Sequence, residues 1–299
     1  RNDCTGGGAS LRSAAMAHPD VIEICWRYDG TPGHLSRPAT SADALALLDA
    51  GNDGFAGLAD TDAREVHRVI HLGAADLGLA DEGETLAQQP FAAVLGCADA
   101  RVPVDFVFGQ SVNDLFTVRV AGNVLGSECA GSLDYAVEHL PSMRLLVVMG
   151  HTRCGAVAAA VDGYLNPIGY LGLAANLPLR SIVDALTPAV RGADVALRSV
   201  HGDEVAALPG YRAALTDAAV VIHAALTADV VRQTFTAHLD HIDVAWGVYD
   251  LTSRRVGRPG ASAWARGLAA APHGADEFQV LARDVATSAH VSSALSVSR

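Results

Sequence analysis

The sequence predicts an α/β fold with a mostly parallel central sheet of about four to five strands flanked by helices. It also predicts an N-terminal helical arm and a C-terminal helical extension. Short runs rich in Val, Leu and Phe recur along the 299 residues, and helical segments lie between them. Near-continuous apolar runs suit strands buried on both faces of a parallel sheet. The alternation of such strands with helices is typical of an α/β domain.

The elements are predicted from these patterns in chain order. A helix is expected over 40–58, because Thr40 or Ser41 is a good N-cap and the apolar spacing is helical. Residues 62–80 are also predicted to be helical. The predicted strands are 91–96, 114–122, 144–150 and 242–250, and the helices between them are 130–140, 154–165 and one near 209–236.

Three parts are expected along the chain. Residues 1–40 are predicted to form an N-terminal arm, 41–256 the main domain, and 257–299 a C-terminal extension. Within the main domain, residues 163–210 hold several Gly and Pro and are predicted to form an elaborated crossover between strands.

Composition argues against several classes of protein. The net charge of −12 disfavours nucleic-acid binding, which needs a basic surface. No membrane span is predicted, because the longest apolar stretch, 213–231, carries Asp217, His223 and Asp229. Five cysteines do not make a disulfide framework, so a reducing cytoplasm is the expected compartment.

Polar residues follow two of the predicted strands where each strand ends. Cys97 closes the strand at 91–96, and Asp99 and Arg101 come directly after it. His151 and Cys154 follow the strand at 144–150, where a helix should begin. Ligands bind at the carboxyl ends of strands in open α/β sheets, so these side chains converge if the two strands are neighbours.

The residue types at this edge match the ligand preference of zinc. Two thiolates and an imidazole, from Cys97, Cys154 and His151, form a known zinc set that leaves the fourth position for water or a carboxylate. Asp99 is the nearby carboxylate and a possible fourth ligand in a closed state. Arg101 can form a directional ion pair with Asp99, hold it away from the metal and keep it ionised.

Other interpretations exist for each residue alone. Cys97 and Cys154 could be buried core thiols, His151 a capping residue, and Asp99 with Arg101 a surface ion pair of little energetic value. Their joint occurrence at two successive strand ends favours a metal site.

The remaining cysteines and most histidines are not expected to take part. Cys4, Cys25 and Cys129 are too isolated to be ligands. His67, His71 and His139 lie in predicted helices, where a satisfied or solvated imidazole is more common than a proton shuttle.

With these residues in place, the sequence resembles the β-class carbonic anhydrases. The family pattern Cys-x-Asp-x-Arg followed by His-x-x-Cys stands here as "CADAR" and "HTRC". Further similar segments are "LAQQPFAAVLGCADARVP", "DLFTVRVAGNV", "GSLDYAVEHL" and "WGVYDLTSRRV". The resemblance covers roughly 41–256 and is weakest through 163–210, so 41–256 is expected to be a zinc domain of this type.

The resemblance implies a role for each matching position. It places Zn²⁺ on Cys97, His151 and Cys154, and it makes Asp99 and Arg101 a catalytic dyad beside the metal.

The resemblance also implies a substrate pocket and an assembly. Gln88 stands where the family has a glutamine that hydrogen-bonds the substrate, and Phe116 and Tyr135 match aromatic positions of an apolar pocket. The family's active site lies at a dimer interface, with some pocket residues supplied by the partner chain. A homodimer or dimer of dimers is therefore expected.

The implied function is reversible hydration of CO₂ to bicarbonate and a proton by attack of zinc-bound hydroxide. One alternative is hydrolysis of carbonyl sulfide or carbon disulfide on the same zinc site. An alternative of another class is a non-catalytic zinc-binding scaffold, which would not need Asp99, Arg101 or Gln88.

One departure from the family concerns regulation. Some members bind bicarbonate in a second pocket lined by Trp, Arg and Tyr, and the aspartate then moves onto the zinc. Arg119 and Tyr249 fit two of these positions, but Val94 stands where the tryptophan would be. The open form is therefore expected.

Overall fold

The structure is a computed structural model that describes residues 21–28, 37–58, 65–72, 77, 85–172 and 175–296. Its strands are β1 (Val21–Tyr28), β2 (Glu65–Leu72), β3 (Ala92–Cys97), β4 (Leu115–Val120), β5 (Leu145–His151), β6 (Asp243–Tyr249), β7 (Val256–Pro259), β8 (Trp264–Arg266) and β9 (Ala269–Ala270). Its helices are α1 (Ser41–Gly57), α2 (Val104–Phe108), α3 (Ser127–His139), α4 (Gly155–Leu165), α5 (Pro167–Tyr170), α6 (Leu177–His201), α7 (Tyr211–Thr234), α8 (Gly274–Thr287) and α9 (Ala289–Leu295).

The central sheet has a parallel half and an antiparallel half. The four predicted strands pair in parallel in the order β4-β3-β5-β6. Every residue of β3 and β5 is buried, as expected for strands covered on both faces. Helices lie on both sides of this sheet, so the predicted fold class is confirmed.

Three short strands extend the sheet beyond the four predicted ones. β7 and β9 both pair antiparallel with β6, and β8 continues the sheet from β7. They are two to four residues long and include Pro259, so they carry little pattern of their own. Their pairing with β6 defines them, and the sequence alone did not predict them.

Two predictions for the N-terminal part of the chain were wrong, because segments predicted to be helical form strands. Residues 65–72, inside the predicted helix 62–80, form a strand, and Val21–Tyr28 forms a second strand within the predicted helical arm. β1 and β2 pair in parallel as a separate two-stranded sheet. β-Branched residues such as Val66, Val69 and Ile70 favour the strand, because their side chains pack well on a pleated surface.

This small sheet packs beside the first two helices. The Trp26 and Phe106 rings meet edge to face with centroids 5.2 Å apart. The Arg68 guanidinium donates to the carbonyl of Gly51 in α1 at 3.4 Å. The contact of β2 with α1 places this small sheet on the α1 side of the main sheet.

Side chains of the parallel strands alternate between two apolar layers. Leu146 and Val148 belong to a core formed with helices α3, α4, α6 and α7. Leu145 and Val147 belong to a second core formed with α1 and α2 on the opposite face. The three-layer arrangement hides the sheet interior from water and leaves the carboxyl strand ends as the place for polar chemistry.

The region predicted as an elaborated crossover, 163–210, consists mainly of the 25-residue helix α6. A buried polar cluster fastens it to its neighbours. Asp194 in α6 accepts hydrogen bonds from Tyr164 at 3.1 Å, from Arg198 and from Tyr211 at the start of α7. Two hydroxyls and a guanidinium satisfy the carboxylate, so its burial is compensated.

Helix α7 is the most deeply enclosed helix of this layer. By length and hydropathy it is sufficient to cross a bilayer, but 83% of its most apolar window is buried inside the protein. It lies directly over the end of β5, since a Cβ added at Gly150 would be 3.3 Å from the Cβ of Ala224. The absence of a side chain at Gly150 therefore lets α7 approach the sheet edge.

The C-terminal helix α9 packs against this layer through an ion pair and an aromatic ring contact. His290 in α9 forms an ion pair with Asp217 in α7, with 3.1 Å between Nε2 and Oδ2. Trp264 lies edge-on to the His290 ring with centroids 5.6 Å apart. The neighbouring Asp217 carboxylate raises the pKa of His290, although burial opposes the shift.

We predict that this ion pair makes stability depend on pH. The pKa of His290 is higher in the folded protein than in the unfolded chain, where it is near 6.5. The ion pair therefore contributes fully to the free energy of unfolding below about pH 6.5. That contribution is lost as the pH rises through the pKa of the folded protein. Asp217→Asn should lower the free energy of urea unfolding by about 1 kcal/mol at pH 6 and by much less at pH 9.

Asp134→Asn, a change on the exposed face of α3, is the matched control and should show no such difference between the two pH values. An Asp217→Asn effect of equal size at both pH values would contradict the prediction.

Candidate metal centre

The structure brings together the three residues predicted as metal ligands. Cys97 ends β3 and His151 ends β5, and these strands are parallel neighbours. Cys154 is the residue immediately before α4. The Sγ atoms of the two cysteines and a ring nitrogen of His151 lie within 4.8 Å of one another, and all three residues are buried.

The His151 imidazole is prepared to act as a ligand through one nitrogen. Its Nδ1 lies 2.9 Å from the carbonyl oxygen of Thr152, which can only accept, so Nδ1 carries the proton. Nε2 therefore presents a lone pair. This atom is fully buried and has no hydrogen-bond partner, an arrangement that a metal ion would satisfy.

The two thiols are hydrogen-bonded to each other through one shared proton, and this contact shifts their pKa values in opposite directions. A hydrogen bond from the Cys154 thiol lowers the pKa of Cys97, and the backbone N–H groups of Asp99 and Gly122 act in the same sense. The same shared proton, together with burial, raises the pKa of Cys154. A divalent cation would favour the thiolate form of both cysteines.

Asp99 and Arg101 form the predicted dyad beside this cluster. The Arg101 Nε and Nη2 atoms donate to the two carboxylate oxygens at 3.0 and 2.7 Å. This pairing holds the pKa of Asp99 well below its usual range. Asp99 Oδ2 lies 3.8 Å from His151 Nε2, so the carboxylate paired with Arg101 also faces the ligand cluster.

A second arginine supports the same loop from the neighbouring strand. Arg119 in β4 lies opposite Gly96 and donates to the carbonyl oxygens of Cys97 at 3.0 Å and Asp99 at 2.7 Å. The sequence suggested Arg119 only as part of a regulatory pocket, so this supporting role was missed. The role depends on the register between β3 and β4, which the sequence pattern does not determine.

The backbone after β5 is fixed by a separate polar contact. The Thr152 hydroxyl donates to Asp250 at 3.1 Å and accepts from the backbone N–H of Leu251 at 3.0 Å. Both groups are buried, so the loop between His151 and Cys154 is held against the end of β6. The sequence did not single out Thr152 or Asp250.

The residues expected to bind substrate lie elsewhere in this chain. The Phe116 and Tyr135 rings are neighbours, with centroids 6.4 Å apart, and Tyr135 is 48% exposed. Phe116 pairs with Ala93, four positions before Cys97, or about 13 Å along the strand. Gln88 precedes β3 at the opposite end of the sheet. One chain therefore does not bring these three residues to the metal cluster.

The cysteines and histidines that were not expected to be ligands lie outside the cluster wherever the structure describes them. Cys25 and Cys129 are free, half-buried thiols. His67 lies beside Glu23 at 2.6 Å in the small sheet, and His139 packs against Tyr135. Cys4 and the side chain of His71 lie outside the described part of the chain.

Comparison with known proteins identifies the family. The family model described as carbonic anhydrase matches residues 92–252, which is more than half of the chain and contains the whole ligand cluster. The chain belongs to the carbonic anhydrase family, in its β class. The predicted resemblance is thereby confirmed.

Curated relatives match a shorter segment. Carbonic anhydrase 2 of Mycobacterium tuberculosis is 42% identical over 112 residues, which cover 36% of this chain and 49% of the relative. A carbonic anhydrase of Mycolicibacterium smegmatis is 41% identical over 109 residues, covering 36% of this chain and 48% of the relative. The chain spans about half the length of the curated relatives it matches.

Solved structures show the same family name at lower similarity. The β-carbonic anhydrase CcaA is 24% identical, with a TM-score of 0.42 over 57% of this chain and 79% of its own. A tetrameric β-carbonic anhydrase from Sordaria macrospora is 22% identical, with a TM-score of 0.40 over 57% of this chain and 80% of its own.

We predict that the cluster binds one divalent metal ion per chain. Cys97→Ser and Cys154→Ser should each weaken zinc binding by roughly 100-fold or more, because a hydroxyl is a far poorer ligand than a thiolate. Competition with a chromophoric chelator measures the affinity.

Cys129→Ser removes a half-buried thiol outside the cluster and is the matched control. It should retain wild-type affinity. If Cys97→Ser bound zinc as tightly as the control, the ligand assignment would be wrong.

Proposed function

We propose that the protein is a zinc enzyme that catalyses the reversible hydration of CO₂ to bicarbonate and a proton. The observation that carries the proposal is the partnerless Nε2 of His151, which lies between two thiols and 3.8 Å from an ionised carboxylate. Membership of the carbonic anhydrase family supports the same conclusion.

Cys97, His151 and Cys154 would hold the ion. Zinc, when bound, would supply a Lewis acid that activates water for attack on CO₂. Two thiolates give the site more negative charge than three imidazoles would, which would make the bound water less acidic. Neighbouring groups of the chain therefore become important for the pKa of that water.

Asp99 is proposed to act as a hydrogen-bond acceptor for the attacking water. Its carboxylate can only accept when it is ionised, and Arg101 keeps it ionised by binding both oxygens. The same bidentate contact fixes the direction of the carboxylate, which orients the water's remaining lone pair. A scaffold that only bound zinc would not require this dyad.

The substrate pocket is proposed to form between two chains. Gln88, Phe116 and Tyr135 lie far from the metal cluster of their own chain, yet they match the family's substrate positions. A homodimer, or a dimer of dimers, in which these residues approach the partner's cluster would complete the site. The high exposure of Tyr135 supports this arrangement.

A cytoplasmic location is proposed as well. Four cysteines of the described chain, Cys25, Cys97, Cys129 and Cys154, are free thiols, and reducing conditions preserve such thiols. Zinc binding through Cys97 and Cys154 would need the same conditions.

We predict that Asp99→Asn lowers CO₂ hydration by about 10²–10⁴-fold, because an amide accepts a hydrogen bond less strongly and can donate in the wrong direction. Stopped-flow hydration with a pH indicator, at equal zinc content, measures the effect.

The matched control is Asp162→Asn. Asp162 also forms a bidentate pair with an arginine, Arg212, at 2.6 and 2.7 Å, but on the helical surface. It should keep wild-type activity. A zinc-loaded wild-type protein without CO₂ hydration would overturn the proposed reaction, and turnover of carbonyl sulfide or carbon disulfide would then be the function to measure.

A further inference from the structure

A buried histidine outside the ligand cluster is connected to it through a backbone turn. His223 lies in the middle of α7 and is only 6% exposed. Its Nε2 is 2.9 Å from the carbonyl oxygen of Gly122, in the turn Ala121–Asn123 that follows β4. This contact joins the core helix to the edge of the metal centre.

The direction of this hydrogen bond is fixed by chemistry. A carbonyl oxygen can only accept, so Nε2 of His223 must carry the ring proton and donate it. Burial lowers the pKa of His223 to about 4, so the imidazole stays neutral near pH 7. The donor is therefore present over the whole physiological pH range.

The turn to which His223 donates its hydrogen bond contains two residues with positive φ. Gly122 has φ of 68° and Asn123 has φ of 46°, so two consecutive residues occupy the left-handed region. A Cβ at Gly122 would lie 3.2 Å from the Cβ of Ala156 and from Cδ1 of Leu186. Packing from α4 and α6 thus limits where the turn can move, and His223 fixes its carbonyl.

The other side of the same glycine faces the metal centre. The backbone N–H of Gly122 donates to Cys97 Sγ at 3.3 Å. The N–H and the carbonyl of one residue are separated by two rotatable bonds, so a carbonyl held in place restricts the direction of the N–H. His223 and Cys97 therefore act on opposite sides of one α-carbon.

We propose that His223 is a positioning residue that holds the Gly122 N–H against the Cys97 sulfur. An N–H donated to a thiolate withdraws charge from the sulfur and keeps its lone pairs directed, and such outer contacts typically change metal affinity 10–100-fold. The proposal rests on the proposed function only in taking Cys97 as a metal ligand.

Two substitutions separate the hydrogen bond from the bulk of the side chain. His223→Met keeps an apolar side chain of similar size but removes the donor, whereas His223→Gln keeps an N–H near the position of Nε2. Thr216→Val is the control, because Thr216 is a buried residue of the same helix whose hydroxyl bonds only within α7.

Zinc affinity and the cobalt spectrum provide the measurements. His223→Met should bind Zn²⁺ about 10–100-fold more weakly by chelator competition, and its thiolate-to-cobalt absorption band should move to lower energy in the Co²⁺-loaded protein. His223→Gln should restore most of the affinity and the band. Thr216→Val should match wild type in both.

The proposal would be overturned if His223→Met retained wild-type zinc affinity and an unshifted cobalt band. It would also be overturned if Gln failed to rescue what Met lost, since the donor would then not be the cause. Neither measurement uses substrate, so a zinc-loaded protein that is inactive towards CO₂ would refute the proposed reaction and leave the role of His223 as measured.

Discussion

The parallel pairing of β3 with β5 is the constraint on which the site depends. Because neighbouring parallel strands end at the same edge of a sheet, Cys97 and His151 must meet once Gly96 and Met149 are opposite each other. Cys154 follows three residues later, at the start of a helix packed on the same face. The register of β3 against β5 is therefore the main reason that the three ligand side chains lie close together.

Burial of this cluster imposes a second requirement. A polar atom without a partner in the interior is costly, and His151 Nε2 has none. Neighbouring groups compensate the charges of Cys97 and Asp99. The Gly122 N–H donates to the Cys97 sulfur, and Arg101 binds both oxygens of Asp99. A divalent cation held by Cys97, His151 and Cys154 would supply the missing partner of His151 Nε2.

The sequence predicted what local pattern determines and missed what distant contacts determine. The four parallel strands and the Cys–His–Cys cluster follow from apolar runs that end in polar residues, which are local signals. Residues 65–72 carry β-branched and charged residues that suit either a helix or a strand, and pairing with β1 decides between them. Arg119 and His223 act through contacts about 20 and 100 residues away, which no spacing rule reveals.

The enclosure of α7 has a consequence for how the protein can change over evolutionary time. The helix contacts β5, β6 and α6 and also packs against α9, so nearly every position from Ala214 to Val231 faces other parts of the protein. Its small side chains, chiefly alanine, set the spacing between layers. Neutral drift should therefore be slow in α7 and rapid on outward positions such as Val195 in α6, which is largely exposed.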